Sequence, residues 1–224
     1  MTNLFDFIPS KMLFYKLSIL IFLICLNSLK SSAQVDIVIS STSSATASIP
    51  DGKQETYYSN GKIETTRNYK SGVLDGESKV FFESGALSNL TNYKNGTKNG
   101  ASKLFYENGI VHIISNYKND LLVGSYIENY ENGKIYLKAN YKNGISDGER
   151  IFYYENGQMS SFAFYKNGKT NGIGKTFHSN GKIQLIFNVK DGVTDGVLKS
   201  YDKKGNLRCT VVFKNGLEIK SICK

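Results

Sequence analysis

Short apolar runs separated by turn residues follow one another along this chain, and the same arrangement returns every 24 residues. In residues 149–172 the first run, Ile151–Tyr154, ends before Asn156-Gly157, and the second ends at Lys166. Rows of 24 place one glycine column at Gly61, Gly85, Gly109, Gly133, Gly157, Gly181 and Gly205. A lysine column contains Lys70, Lys94, Lys118, Lys142, Lys166, Lys190 and Lys214. Self-similarity at this period predicts an array of one supersecondary unit, written seven times.

Each unit is predicted to be one β-hairpin. Asn-Gly between strand-like runs favours a type I′ turn, in which both central residues have positive φ. With Asn156 and Gly157 as those two residues, Tyr154 is expected opposite Met159. The equivalent expected pairs are Tyr58–Ile63, Phe82–Leu87, Tyr106–Val111 and Tyr130–Ile135. Such cross-strand pairs contribute roughly 0.2–1 kcal/mol each.

Alternation along the strands predicts two different faces. Tyr154, Met159 and Tyr165 are expected on one drier face, with Tyr153 and Ser160 on the other. The second face also carries a row of asparagines, namely Asn68, Asn92, Asn116, Asn140 and Asn188. The predicted fold is therefore all-β. It is an elongated, single-layer antiparallel meander of tandem hairpins with about 14 strands and no helix after residue 33.

The first 33 residues are expected to be a signal peptide, with cleavage near Ala33. Lysines precede a short apolar run, Leu17–Leu26, and small residues follow it. An inner-membrane anchor formed by residues 13–29 is the alternative. Residues 34–52 read as a Ser/Thr-rich linker with room for one first strand, residues 53–220 as the seven repeats, and residues 221–224 as a tail. The expected location is therefore the periplasm, the cell surface or the extracellular space.

Composition narrows the partner classes. The whole chain has a net charge of +9, and without residues 1–33 the net charge is +7. An excess of basic residues first suggests a nucleic-acid partner, but an exported chain rarely meets nucleic acid. A protein partner is therefore expected, with anionic lipid or cell-wall polymer as the other class, and the chain itself is expected to be a monomer. Cys209 and Cys223 lie symmetrically about the last Lys-Asn-Gly turn, so either a disulfide or two free thiols fits.

Catalytic and metal-binding motifs are not found in the sequence. His112 and His178 stand in different columns, and neither has a Cys or a carboxylate at metal-ligand spacing. The Asp-Gly column also accepts Asn99 and Val123, which favours turn chemistry over a calcium site. We therefore expect no enzyme activity, no catalytic residue, no metal and no cofactor.

The lysine column is the strongest candidate for a binding site. Lysines at every second strand end would lie roughly 10 Å apart along one edge of the sheet. The opposite edge carries Glu83, Glu107, Glu131 and Glu155. The row can bind an anionic partner, or it can serve only to keep strand edges soluble. Just before five of these lysines stand Tyr69, Tyr93, Tyr117, Tyr141 and Tyr165, expected either to contact the partner or to pack only on their cross-strand neighbours.

Rows such as YYENGQMSSFAFYKNGKTNG and YENGKIYLKANYKNGISDGE resemble the MORN-repeat variant, found in bacterial proteins of the YwqK-type antitoxin family. The resemblance covers residues 53–220. It implies β-hairpin arrays used for protein contact and membrane association, and the antitoxin label implies neutralisation of a partner toxin encoded nearby. A signal peptide counts against a cytoplasmic antitoxin. The combined expectation is an exported, non-enzymatic binding or scaffolding module, with an envelope-associated structural protein as the alternative.

Overall fold

The computed structural model describes residues 49–224, and these form one antiparallel sheet. The strands are β1 (Gly52–Tyr57), β2 (Ile63–Lys70), β3 (Val73–Phe81), β4 (Leu87–Lys94), β5 (Thr97–Phe105), β6 (Val111–Lys118), β7 (Leu121–Leu122), β8 (Gly124–Asn129), β9 (Ile135–Lys142), β10 (Ile145–Tyr153), β11 (Met159–Lys166), β12 (Lys169–Thr170), β13 (Gly172–Phe177), β14 (Ile183–Lys190), β15 (Val193–Thr194), β16 (Gly196–Tyr201), β17 (Leu207–Lys214) and β18 (Leu217–Cys223). Each strand pairs with its neighbour along the chain, which confirms the predicted meander of hairpins.

Eighteen strands are present where about fourteen were expected, for two reasons. The strand after the seventh hairpin, β18, was not counted in the prediction. Three long strands are also interrupted at one equivalent position, at Val123, Asn171 and Asp195. None of the described residues form a helix that is long and apolar enough to cross a membrane. The expected signal peptide, the anchor alternative and the linker up to residue 48 lie outside the described residues.

The chain reverses in two kinds of turn. The sequence predicted a type I′ turn at Asn156-Gly157, but the structure has the type I′ turn at the other reversal of the unit. The type I′ turn lies at Asn167-Gly168, where φ is +50° and +78° and Lys166 pairs with Lys169. At Gly157 only the glycine has positive φ. The Gly157 N–H donates to the Tyr154 carbonyl at 2.8 Å. This is the three-residue hairpin loop in which a tight turn is followed by a left-handed glycine.

The Asn156 side chain explains the difference. Its Oδ1 accepts from the Gln158 N–H at 2.9 Å, and its Nδ2 donates to the Ser179 carbonyl of the next unit at 3.0 Å. Asparagine is therefore used here for its side-chain hydrogen bonds and not for a left-handed backbone. The expected Tyr154–Met159 pair does not form, and Met159 pairs with Tyr153 instead. The equivalent expected pairs, Tyr58–Ile63, Phe82–Leu87, Tyr106–Val111 and Tyr130–Ile135, are wrong for the same reason.

A β-bulge beside this turn also changes the sorting of faces. Phe152 pairs with Ser161 and Tyr153 pairs with Met159, so Ser160 is an extra residue. One extra residue reverses the alternation of side chains. Met159 and Tyr165 therefore lie on opposite faces, and the prediction that they share a face was wrong.

We call the face that carries the buried side chains the inner face and the opposite one the outer face. The buried apolar residues are Leu137, Ala139, Ala163, Leu185, Phe187, Leu198 and Val211. The buried polar residues are Thr65, Ser78, Thr91, Ser102, Ser115 and Thr176. All occupy central positions of the strands, and most are small. The Tyr165 row shares this face because it lies two residues from the buried Ala163 on β11.

Hydrogen bonds tie each unit to the next. The Tyr154 hydroxyl donates to the Phe177 carbonyl at 2.7 Å. Tyr58, Tyr106 and Tyr130 make the same bond, each to a carbonyl 23 residues ahead. The Asp147 carboxylate accepts from the Asn167 N–H at 3.2 Å. Asp51, Asp75 and Asp195 do the same in their units. The Asp-Gly column therefore belongs to the turns, as the sequence indicated.

The last unit replaces these ties with local contacts. Asp202 stands in the Tyr154 column, and it accepts from the backbone N–H of Lys204 and Asn206, both at 2.9 Å. These bonds, the Asn206 bond above all, lower the pKa of Asp202 to about 2. Cys209 and Cys223 face each other on β17 and β18 and are joined by a disulfide, with their Cα atoms 4.1 Å apart. The disulfide holds the exposed edge strand β18 to the sheet.

Candidate binding surface

The lysine row is exposed along its whole length. Lys70 and its six equivalents each end a strand just before a type I′ turn, and all seven are solvent-exposed. Among the described residues, only Lys214 of this row has a carboxylate within ion-pair distance, at 3.8 Å from Asp195. The row therefore presents seven cations, six of them without an acidic partner in residues 49–224. At the other edge, Glu83, Glu107, Glu131 and Glu155 are also exposed.

The tyrosine row and the lysine row point away from each other. Tyr165 and Lys166 are consecutive residues of one strand, so their side chains lie on opposite faces. The tyrosines belong to the inner face and are half-buried, whereas the lysines lean toward the outer face. The structure therefore places the two predicted groups of site residues on separate surfaces.

The hydroxyl groups distinguish this tyrosine row from a second row, which we call the tied tyrosines. The hydroxyls of Tyr58, Tyr106, Tyr130 and Tyr154 all donate to backbone carbonyls. Within residues 49–224, the hydroxyls of Tyr69, Tyr93, Tyr117 and Tyr141 have no such acceptor. Their rings have neighbours: the Tyr126 ring meets Tyr141 edge-on at 5.8 Å, and Lys98 Nζ lies 5.3 Å from the centre of the Tyr117 ring.

The asparagine row serves the fold. The Asn68 Nδ2 donates to the Glu77 carbonyl at 2.7 Å, and Asn92 repeats this bond to Ala101 at 2.9 Å. Opposite each stands a glycine of positive φ, and a Cβ on Gly76 would lie 3.3 Å from the Asn68 Cβ. The asparagine therefore bridges the bulge that the Asp-Gly pair creates, and its amide is occupied within the sheet.

The two histidines have structural contacts. His112 stacks on Tyr106, with ring centres 4.2 Å apart, and its Nε2 lies 3.6 Å from Glu128 Oε1. The Tyr126 hydroxyl donates to the same carboxylate at 3.2 Å, and burial, aided by Glu128, raises the pKa of Tyr126. His178 takes the place of a tied tyrosine, with Nε2 3.0 Å from the Tyr201 carbonyl. In residues 49–224, no group of three potential ligands is arranged to hold a metal ion.

Sequence reasoning missed one residue at the centre of the inner face, Arg150. It lies between Ala139 and Ala163 on the neighbouring strands. Its guanidinium is 5.4 Å from the Phe152 ring and 5.6 Å from the Tyr165 ring. The signal was present in the sequence, because the other members of this 24-residue column are Gln54, Ser78, Ser102, Tyr126, Gly174 and Leu198, all uncharged.

The pattern of the family described as "MORN repeat variant" matches this chain seven times in tandem. The matched segments are residues 50–71, 74–95, 98–119, 122–143, 146–167, 170–191 and 194–215. The chain belongs to the MORN repeat variant family. Each matched segment ends within a turn of the Lys-Asn-Gly type, and the family's repeat begins three residues before the units defined above. No curated protein matches the chain.

Proposed function

We propose that this MORN repeat variant chain is a non-enzymatic binding array that holds a protein partner against the inner face of its sheet. The observation that carries the proposal concerns four members of the tyrosine row, Tyr69, Tyr93, Tyr117 and Tyr141, whose hydroxyls have no acceptor within residues 49–224. A half-buried ring with an unused hydroxyl offers apolar contact area and a hydrogen bond to a partner. The tied tyrosine row shows that hydroxyls needed by the fold do find acceptors.

The lysine row supplies the second part of this proposal. Six exposed cations, which have no acidic partner within residues 49–224, create a positive field that attracts an acidic protein surface. Exposed pairs of this kind contribute little to folding, so the row is free to serve encounter and orientation.

The resemblance to the antitoxin family supports a proposal for the partner. We propose that the partner is a protein toxin encoded nearby, which the array neutralises by covering part of its surface. Export by the N-terminal segment places this contact outside the cytoplasm. A toxin acting in the envelope or outside the cell fits both statements.

A second function is favoured by the outer face. Five lysines are interspersed with six aliphatic or aromatic residues across its central row, which runs from Lys79 to Lys199. Its members are Lys79, Leu90, Lys103, Ile114, Ile127, Lys138, Ile151, Phe162, Lys175, Ile186 and Lys199. Cations interleaved with apolar side chains suit an anionic lipid surface or cell-wall polymer.

Affinity capture of the full chain from its own envelope fraction tests the proposed function. The inner-face variant carries Tyr93→Phe, Tyr117→Phe and Tyr141→Phe, which removes three free hydroxyls and keeps the rings. We expect unchanged stability and at least a several-fold loss of captured partner, since each lost hydrogen bond costs about 1 kcal/mol. Equal capture by the variant and the wild type would overturn the inner-face proposal.

Two matched variants separate the surfaces. Lys118→Gln, Lys142→Gln and Lys166→Gln together should weaken capture and make the remaining binding less sensitive to salt. Lys103→Gln, Lys175→Gln and Lys199→Gln together should leave capture intact but reduce sedimentation with anionic vesicles. If the last variant alone abolishes partner capture, the contact surface is the outer face.

A further inference from the structure

Arg150 lies in the middle of the inner face, and we call the strip between its two cross-strand neighbours the trough. Its neighbours across the strands on both sides are alanines, and both Ala139 and Ala163 are buried. These small residues leave room for the long side chain, which runs between the Phe152 and Tyr165 rings. A guanidinium held between two aromatic rings has a fixed orientation.

The charge of Arg150 is not compensated. In residues 49–224, ion pairs within 4.0 Å are formed by other residues, and no carboxylate reaches Arg150. Its Nε is buried and has no hydrogen-bond acceptor. Arg150 as a whole is half-buried, and its partial removal from water without a counter-charge opposes folding. A neutral residue, as in the equivalent positions of other units, would avoid this cost.

The sequence contains three arginines, which makes the comparison direct. Arg208 Nη2 pairs with Asp202 Oδ2 at 2.9 Å. Arg67 lies on the same inner face, near its first edge, and pairs across the strands with Gln54 and Ser78. Only Arg150 combines a central position, aromatic walls and a buried donor that lacks an acceptor.

We propose that Arg150 is a carboxylate-binding subsite, which receives an aspartate or glutamate side chain, or a C-terminal carboxylate, of the partner. This assignment rests on the proposed function, because a partner bound to the tyrosine row on the inner face also covers Arg150. A guanidinium and a carboxylate form two parallel hydrogen bonds in one plane. Tyr165 adds a hydroxyl beside the guanidinium. Burial raises the pKa of Tyr165, and the charge of Arg150 and a hydrogen bond with its side chain work against that rise.

A carboxylate fits the subsite better than a phosphate does. Phosphate sites in proteins combine several cations or a series of backbone N–H groups. Here one guanidinium faces the trough, and the nearest strand backbone is engaged in the sheet. A single planar anion of charge −1 matches a single planar cation.

Nuclear magnetic resonance of the arginine side chains of the full chain tests the subsite directly. Three Nε–Hε signals are expected, and single substitutions at Arg67, Arg150 and Arg208 assign them. Titration with sodium acetate, against sodium chloride at equal ionic strength, should shift the Arg150 signal in a saturable manner and leave the Arg67 signal in place. If acetate moves both signals equally or neither, the subsite does not exist. A stronger response to inorganic phosphate than to acetate would overturn the carboxylate assignment.

Capture experiments separate this subsite from the proposed function. Arg150→Met and Arg150→Lys should both reduce partner capture by about tenfold or more, since a charge-assisted hydrogen bond contributes roughly 1.5–3 kcal/mol. Arg67→Met is the matched control and should capture normally. Unchanged capture by both Arg150 variants, with loss in the tyrosine variant, would remove the subsite and leave the binding array. Because the acetate titration uses the wild-type chain, it decides the question even where a variant fails to fold.

Discussion

At the scale of single residues, space and hydrogen bonding select residue types that look interchangeable in the sequence. Gly174 is a clear case because its need for glycine is steric. It lies directly opposite Phe187, and a Cβ on Gly174 would lie 2.2 Å from the Phe187 Cζ. The ring therefore covers the backbone where the other units carry a side chain, which is how an aromatic residue compensates for a glycine within a sheet.

Gly174→Ala should destabilise the protein by about 1–3 kcal/mol, since the Phe187 ring must leave its position. Urea unfolding measures the loss. Adding Phe187→Leu should recover part of it, so that the double variant is less destabilised than the two single effects combined. A free energy of unfolding within about 0.5 kcal/mol of wild type for Gly174→Ala would show that the ring moves without cost.

At the scale of the hairpin, the links between units decide the structure of the turns. Each tied tyrosine reaches over its own loop to a carbonyl 23 residues ahead, and the loop asparagine does the same. Phe82 belongs to the same column and has no polar group to make this bond. This column therefore includes units with the hydrogen bond between units and one unit, that of Phe82, without it.

Tyr154→Phe should destabilise the protein by about 1 kcal/mol, because the Phe177 carbonyl loses its donor. Phe82→Tyr should stabilise it by about 0.5–1 kcal/mol by supplying a donor to the equivalent Phe105 carbonyl. Both values come from urea unfolding under the same conditions. Two outcomes would contradict a stabilising role for this hydrogen bond between units. Either neither variant changes the urea midpoint, or both variants shift the midpoint in the same direction.

At the scale of the whole array, each unit contacts only the units before and after it. The links run 20 to 23 residues along the chain, so every donor meets the same kind of acceptor in each following unit. Stability should then behave as a sum over units and their interfaces.

Deletion of residues 77–100 should leave a shorter folded sheet, because the Tyr58 hydroxyl would meet the Phe105 carbonyl in place of that of Phe81. Deletion of residues 77–88 should unfold the region around the junction, since each turn would then reach the wrong edge of the sheet. Circular dichroism and thermal unfolding of both variants make the comparison. Equal loss of structure in the two would refute the array model.

The sequence by itself determined the number of units, their strand content and the meander. These depend on turn residues and apolar runs that recur in fixed columns, and such local chemistry is readable without a structure. The disposition of the lysine row at strand ends was readable for the same reason.

Only the tertiary structure decided which turn is type I′, which residues share a face, and where Arg150 lies. The Asn156 side chain bonds to the next unit, and the Ser160 bulge reverses the faces. Both features depend on contacts between strands, which a local sequence pattern does not show. The trough around Arg150 likewise needs three neighbouring strands, because two alanines and two rings from different strands enclose it. A repeat makes each column predictable, but the meeting of columns across the sheet is set by register, and one extra residue is enough to change it.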